Sequence, residues 1–144
     1  MATVELSFTP LPAHVRTARL VATAVARRSG VDEALMDEVR LAVGEACSRA
    51  VEEHRLYCPA EPIRLALTDT ADRFLVVVTD NCAPSATKPP GAGFNGGDDS
   101  PGAAGMPAGL GFAVIAGLAD DVEISETAAG TSIRMSWPSA GGAR

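Results

Sequence analysis

Val4, Leu6 and Phe8 alternate with Glu5 and Ser7, the two-residue period of a strand with one buried face. Pro10 and Pro12 end that strand. From about His14 to Ser29 the period changes: Val15, Ala18, Ala22 and Val25 recur at three- and four-residue steps, which predicts a helix closed by Gly30. Asp32 is placed to cap a second helix. Its buried stripe is Leu35, Val39, Ala42, Ala46 and Ala50, while Glu38, Glu45, Arg49 and Glu52 run along another face. Ile63, Leu65 and Leu67 then alternate with Arg64, Ala66 and Thr68; Asp69 to Arg73 makes a turn, and Phe74 to Val78 forms a continuous apolar strand. This pair is expected to run antiparallel and to deliver Asp80 at a sheet end.

Periodicity is absent from Cys82 to Ala108, where Ala83-Pro84, Pro89-Pro90-Gly91 and Gly96-Gly97 break regular structure. A stretch of this length inside one domain, residues 83–108, reads as a lid or as disorder. Helical character returns at Phe112 to Leu118, and Val122 to Ser125 with Thr131 to Trp137 predict a last hairpin around Ala128-Ala129-Gly130. Ile133, Met135 and Trp137 fall on one side of it. The expected organisation is a single domain over residues 1–137 with an unanchored tail over 138–144.

Composition narrows the function classes. At 144 residues and 47% hydrophobic, the chain holds enough apolar material for one core. A net charge of −6 and the lack of a Lys/Arg cluster disfavour direct nucleic-acid binding, because phosphate contact needs concentrated positive charge. No apolar run reaches the roughly 18 residues of a membrane span, and Met1 to Glu5 lacks a basic region followed by an apolar one, so a cytoplasmic protein without membrane contact is expected. Cys47, Cys58 and Cys82 are odd in number and scattered, which predicts reduced thiols rather than a disulfide framework. His54 and Cys58 stand four residues apart without a further convincing ligand nearby, so no metal site is expected.

Four short motifs carry the candidate chemistry: Gly44-Glu45-Ala46-Cys47-Ser48-Arg49-Ala50 on the second helix, Asp80-Asn81-Cys82 after a strand, Gly109-Leu110-Gly111-Phe112 before a helix, and Gly130-Thr131 in the last hairpin. In their order and spacing they resemble the superfamily of gyrases, heat-shock chaperones and histidine kinases, and within it the small bacterial anti-sigma-factor serine kinases. The resemblance spans nearly the whole chain. It implies an α/β (α+β) two-layer sandwich of the histidine-kinase-like ATPase fold, with a mixed, largely antiparallel sheet carrying helices on one face. It also implies ATP with Mg²⁺, a homodimer, and two protein partners exchanged in transcription regulation: a sigma factor and an anti-anti-sigma (STAS-type) antagonist.

Residue by residue, Glu45 matches the family carboxylate that activates the attacking serine hydroxyl, a general-base role. Its other reading is an i, i+4 ion pair with Arg49, worth about a few tenths of a kcal/mol on an exposed helix. Arg49 stands where the family has the Asn whose oxygen ligates Mg²⁺. A guanidinium has five donors and no acceptor, so it cannot take that role. A unit positive charge about 4 Å from a divalent ion is repelled by roughly 8 kcal/mol at an effective dielectric of 20, and even about a quarter of that exceeds a tenfold factor in affinity. Arg49 could instead contact a nucleotide phosphate, whose oxygens suit its fork.

Asp80 matches the acceptor for the adenine amino group, and Thr131 the residue that supports it. Gly109 and Gly111 match the second glycine box, where a helix N-terminus would receive phosphate. Cys82 stands where the first glycine box usually has Gly, and its side chain would crowd a backbone that must approach the base. Neither a Rossmann fingerprint nor a Walker sequence occurs. The expected function is an anti-sigma-factor-like regulator with weak or lost ATP and Mg²⁺ binding; the alternative is an active serine/threonine kinase that phosphorylates the antagonist. Enzymatic activity is left open by Arg49 and Cys82.

Overall fold

Leu6, Leu65, Val78, Ile133 and Ile124 stand in register across five strands, so one apolar row crosses an entire sheet. A second row, Val4, Leu67, Val76, Met135 and Val122, runs beside it. The structure, a computed structural model, describes residues 2–82 and 110–140. The expected lid over 83–108 and Gly109 lie outside the described residues.

The strands are β1 (Ala2–Phe8), β2 (Ile63–Asp69), β3 (Arg73–Thr79), β4 (Asp121–Thr127) and β5 (Gly130–Pro138), in the spatial order β1-β2-β3-β5-β4. Every pairing among them is antiparallel. The helices are α1 (Pro12–Ser29), α2 (Met36–Tyr57) and α3 (Leu110–Leu118). Phe74, Val76 and Val78 join Ile63, Leu65, Leu67, Ile133, Met135 and Trp137 in the core, against Ala18, Ala22, Val39, Ala42, Val43 and Ala46 from the helices and Ile115 from α3. The other face of the sheet mixes charged and smaller apolar residues: Glu5, Ala66, Val77, Arg134 and Glu123 share one row across it. The two-layer sandwich with helices on one face is therefore the observed architecture. The apolar run Phe74 to Val78 splits between the faces, with Leu75 and Val77 only half-buried on the outer side. Such one-sided burial is what antiparallel sheets allow and parallel ones do not.

Local chemistry moves several boundaries. α1 begins at Pro12 rather than His14, because a proline at the first helical position loses no hydrogen bond that the helix would have made. Gly30 closes α1 with φ 88°, as the sequence predicts. Asp32 accepts from the Ala34 N–H at 2.9 Å, yet it caps a 3₁₀ turn, Glu33–Leu35, and α2 starts only at Met36. The tail is held further than expected. Pro138 ends β5, the Ser139 N–H donates to the Asp72 carbonyl at 3.0 Å, and the Ala140 N–H donates to the Gly30 carbonyl at 3.0 Å. Among the described residues no helix is long and apolar enough to cross a membrane.

Candidate functional site

The β3–β5 pairing sets the site, because it brings the residue after β3 beside the first residues of β5. The Asp80 N–H donates to the Thr131 carbonyl at 2.9 Å, and the Thr131 N–H donates back to Asp80 Oδ1 at 3.1 Å. Oδ1 accepts a second bond at 3.1 Å from the Cys82 N–H. Gly130 makes this closeness feasible. Its φ is 147°, and a Cβ there would collide with the Asp80 carbonyl oxygen and come within 2.6 Å of Oδ1. Asp80 and Thr131, paired by the resemblance, are thus joined by two backbone-anchored bonds, and a third ties Asp80 to Cys82.

Arg49 supplies the remaining bond. From α2 its guanidinium donates to Asp80 Oδ2 at 3.1 Å and to Glu53 Oε1 at 3.0 Å. The side chains of Arg49, Glu53 and Asp80 retain only 12, 4 and 0% of their exposure, so among the described residues a cation and two carboxylates meet in a place nearly sealed from water. Burying such a group costs desolvation free energy, and removal of one member leaves a charge uncompensated, at about 3–5 kcal/mol. The expected Glu45–Arg49 ion pair is not made among the described residues. Glu45 and Glu53 lie one turn either side of Arg49, and Asp80 draws the guanidinium toward the Glu53 end.

Behind this cluster, His54 is fully buried. Its Nδ1 donates to the Glu61 carbonyl at 2.8 Å, and its Nε2 accepts the Asn81 N–H at 3.1 Å, which fixes the neutral tautomer with the proton on Nδ1. Asn81 Nδ2 donates to the Pro62 carbonyl at 2.6 Å. The expectation of three reduced thiols is corrected: Cys58 and Cys82 form a disulfide with Cα atoms 5.7 Å apart. They are 24 positions apart in sequence, and the β2–β3 hairpin returns the chain to the end of α2. Cys47 is the free thiol, buried in α2; burial pushes it up to about 12, with Arg19 pulling modestly the other way. Among the described residues no group of three His, Cys, Asp or Glu side chains could hold a metal ion.

Glu45, the carboxylate matched to the general base, is half-buried on α2, and burial raises its carboxyl above the ordinary range. Gly111 lies in the first turn of α3, and Gly109 lies outside the described residues. The structure thus brings together Arg49, Asp80 and Thr131, adding Glu53, His54, Asn81, Cys58 and Gly130. Among the described residues, Arg49 offers no oxygen at the position where the resemblance implies a metal-ligating amide, and its guanidinium donates to Asp80 Oδ2 instead. Glu53 has the same four-residue spacing from Arg49 as Glu45, so the sequence carries a signal for it, one that does not rank the two.

A family model described as the histidine kinase-like ATPase domain matches residues 8–137. No curated protein matches the chain. A solved chain holding the RsbU and RsbW domains of Rv1364c from Mycobacterium tuberculosis is similar in fold, with TM-score 0.67 and 16% identity over 100% of this chain and 34% of its own length. The present chain therefore spans about a third of that solved chain. The mycobacterial sensor histidine kinase MprB is also similar, with TM-score 0.49 and 14% identity over 97% of this chain and 99% of its own.

Proposed function

Because the chain belongs to the histidine kinase-like ATPase domain family, we propose that it is an anti-sigma-factor-like regulator that acts by binding protein partners, with weak or lost affinity for Mg-ATP. The observation that carries the reading is the Arg49 guanidinium bridging Glu53 and Asp80. Arg49 already donates to Asp80 Oδ2, so adenine recognition there would share or compete for that oxygen, and moving Arg49 away would take a cation from two buried carboxylates. Metal ligation at position 49 has no oxygen to use. A partner-binding surface needs neither. The resemblance of the four motifs, together with a fold neighbour that contains an RsbW domain, supports a sigma factor and a STAS-type antagonist as the partner class, with a homodimer acting in the cytoplasm.

One observation favours the kinase alternative. Glu45 is not spent on Arg49, and its raised carboxyl pKa strengthens it as a base once ionised. Calorimetric titration separates the two readings. Wild type is expected to give little or no heat with ATP whether or not Mg²⁺ is present, while Arg49→Asn, which restores an amide oxygen and removes the opposing charge, gains measurable Mg-ATP affinity. In that variant a single side-chain amide faces the two carboxylates, so it is compared with wild type at matched folded fraction. Tight Mg-dependent binding by wild type, abolished in Arg49→Asn, would show that Arg49 serves the nucleotide and would overturn the regulator reading.

A further inference from the structure

We propose that Cys58 and Cys82 are a reversible thiol modification site that controls the Asp80 end of the candidate site. Low-molecular-weight thiols and their disulfides are its co-reactants. The bond spans two functional points of the fold. Cys58 is the C-cap of α2, its N–H donating to the His54 carbonyl at 2.9 Å. Cys82 lies two residues past Asp80 and donates its own N–H to Asp80 Oδ1. Their Cα separation of 5.7 Å falls in the range that a disulfide bridges without backbone movement.

Three features favour an exchangeable bond over a fixed staple. First, Cys58 is half-buried while Cys82 is 1% exposed, so Cys58 is the side of the bond open to an external thiolate. Second, the third cysteine cannot compete, because Cys47 is buried and its thiol is protonated at neutral pH. Third, the neighbourhood has non-covalent ties of its own: His54 to Asn81, Asn81 to Pro62, and the Cys58 amide to His54. These keep the surrounding backbone together when the disulfide opens, so its loss loosens the 80–82 segment locally rather than unfolding the chain. The apolar core on the two sheet rows contains neither sulfur.

In the exchange, an external thiolate attacks Cys58 Sγ, the Cys58–Cys82 bond breaks, and Cys82 leaves as a thiolate that takes up a proton. A second external thiolate then attacks the outer sulfur of the mixed disulfide and releases Cys58. One protein disulfide and two small thiols give two protein thiols and one small disulfide, a two-electron reduction of the protein. With the bond closed, the Cys82 amide is held on Asp80 and the 80–82 segment is pinned beside Arg49. With it open, that segment is released to local motion, and Asp80 loses one of the constraints that keep its carboxylate turned inward.

This deepens the regulator reading by giving its site an input, but its first readout needs neither nucleotide nor partner. The full chain is equilibrated in glutathione buffers of varied thiol-to-disulfide ratio, quenched, alkylated and weighed intact. The expected result is one reversible two-electron transition confined to Cys58 and Cys82, with Cys47 unmodified until the protein is unfolded. Hydrogen exchange on the two forms is then expected to show the Asn81, Cys82 and Thr131 amides exchanging at least about tenfold faster in the reduced form, with β2 and β3 interior amides unchanged. Cys58→Ser should match the reduced wild type whatever the buffer. A pair that stays oxidised in excess thiol under native conditions, a reduction that unfolds the whole chain, or unchanged exchange at those three amides each overturns the proposal. Tight Mg-ATP binding by wild type would sink the regulator reading and leave these outcomes standing.

Discussion

The two ends of the candidate site are built very differently. At the base end, Asp80, Thr131, Cys82, Arg49, Glu53 and Gly130 are gathered around a carboxylate both of whose oxygens accept hydrogen bonds. At the other end Glu45 stands half-buried on α2 with no ion pair among the described residues. The departure from the family pattern at position 49 has thus been absorbed at one end only. The cation at the position where the resemblance implies a metal-ligating amide pairs with Glu53 and Asp80, and the carboxylate matched to the general base makes no ion pair with it.

The comparison is broken most directly at Arg49. Arg49→Ala removes the cation that bridges the buried Glu53 and Asp80, and a loss of about 3–5 kcal/mol in unfolding free energy is expected from urea denaturation. Adding Glu53→Gln should return part of that loss by removing one of the stranded charges. A cost below about 1 kcal/mol, the range of exposed pairs, would mean that the base end is not a sealed cluster. Next in size is Gly130→Ala, which puts a methyl group against the Asp80 carbonyl at a φ that side chains rarely adopt. A loss of about 2 kcal/mol is expected in the same assay, together with faster exchange of the Thr131 amide.

The smallest effect belongs to the open end and gives the opposite sign. Burial raises the Glu45 carboxyl above its ordinary 4.5, so between the two values the folded chain holds more proton than the unfolded one. The contribution of this carboxyl to stability is therefore full below the ordinary value and is lost as pH rises through the raised one. Glu45→Gln should be slightly more stable than wild type at neutral pH, with the advantage vanishing in acid. Denaturation midpoints at the two pH values check it; equal differences at both would show that Glu45 gains compensation at neutral pH.

Much of this architecture was legible in the sequence, and the reason is periodicity. Val4, Leu6 and Phe8, or Ile63, Leu65 and Leu67, announce a one-sided strand whatever their partners, and Val15, Ala18 and Ala22 announce a helix face. The proximity of Asp80 and Thr131 was legible through resemblance and is matched by their reciprocal hydrogen bonds. What escaped depends on where chain segments return to one another. Arg49 has a glutamate one turn before it and another one turn after, and only the arrival of Asp80 beside α2 selects Glu53. The Cys58–Cys82 bond needs the register of the β2–β3 hairpin, and His54 needs the Glu61 carbonyl and the Asn81 amide delivered from two different directions.

The chain has a single tryptophan, and its indole N–H donates to the Leu118 carbonyl at 3.1 Å, at the last residue of α3. Trp137 therefore links β5, which carries Thr131 at its other end, to the helix that begins with the second glycine motif. Its ring also rests 6.3 Å from that of Phe74 on β3. An indole that is buried, hydrogen-bonded and without a second tryptophan to confuse it is an intrinsic optical probe. Any ligand or partner that shifts the end of α3 against the sheet would change the colour and intensity of its emission, so binding at this site can be followed in unlabelled protein.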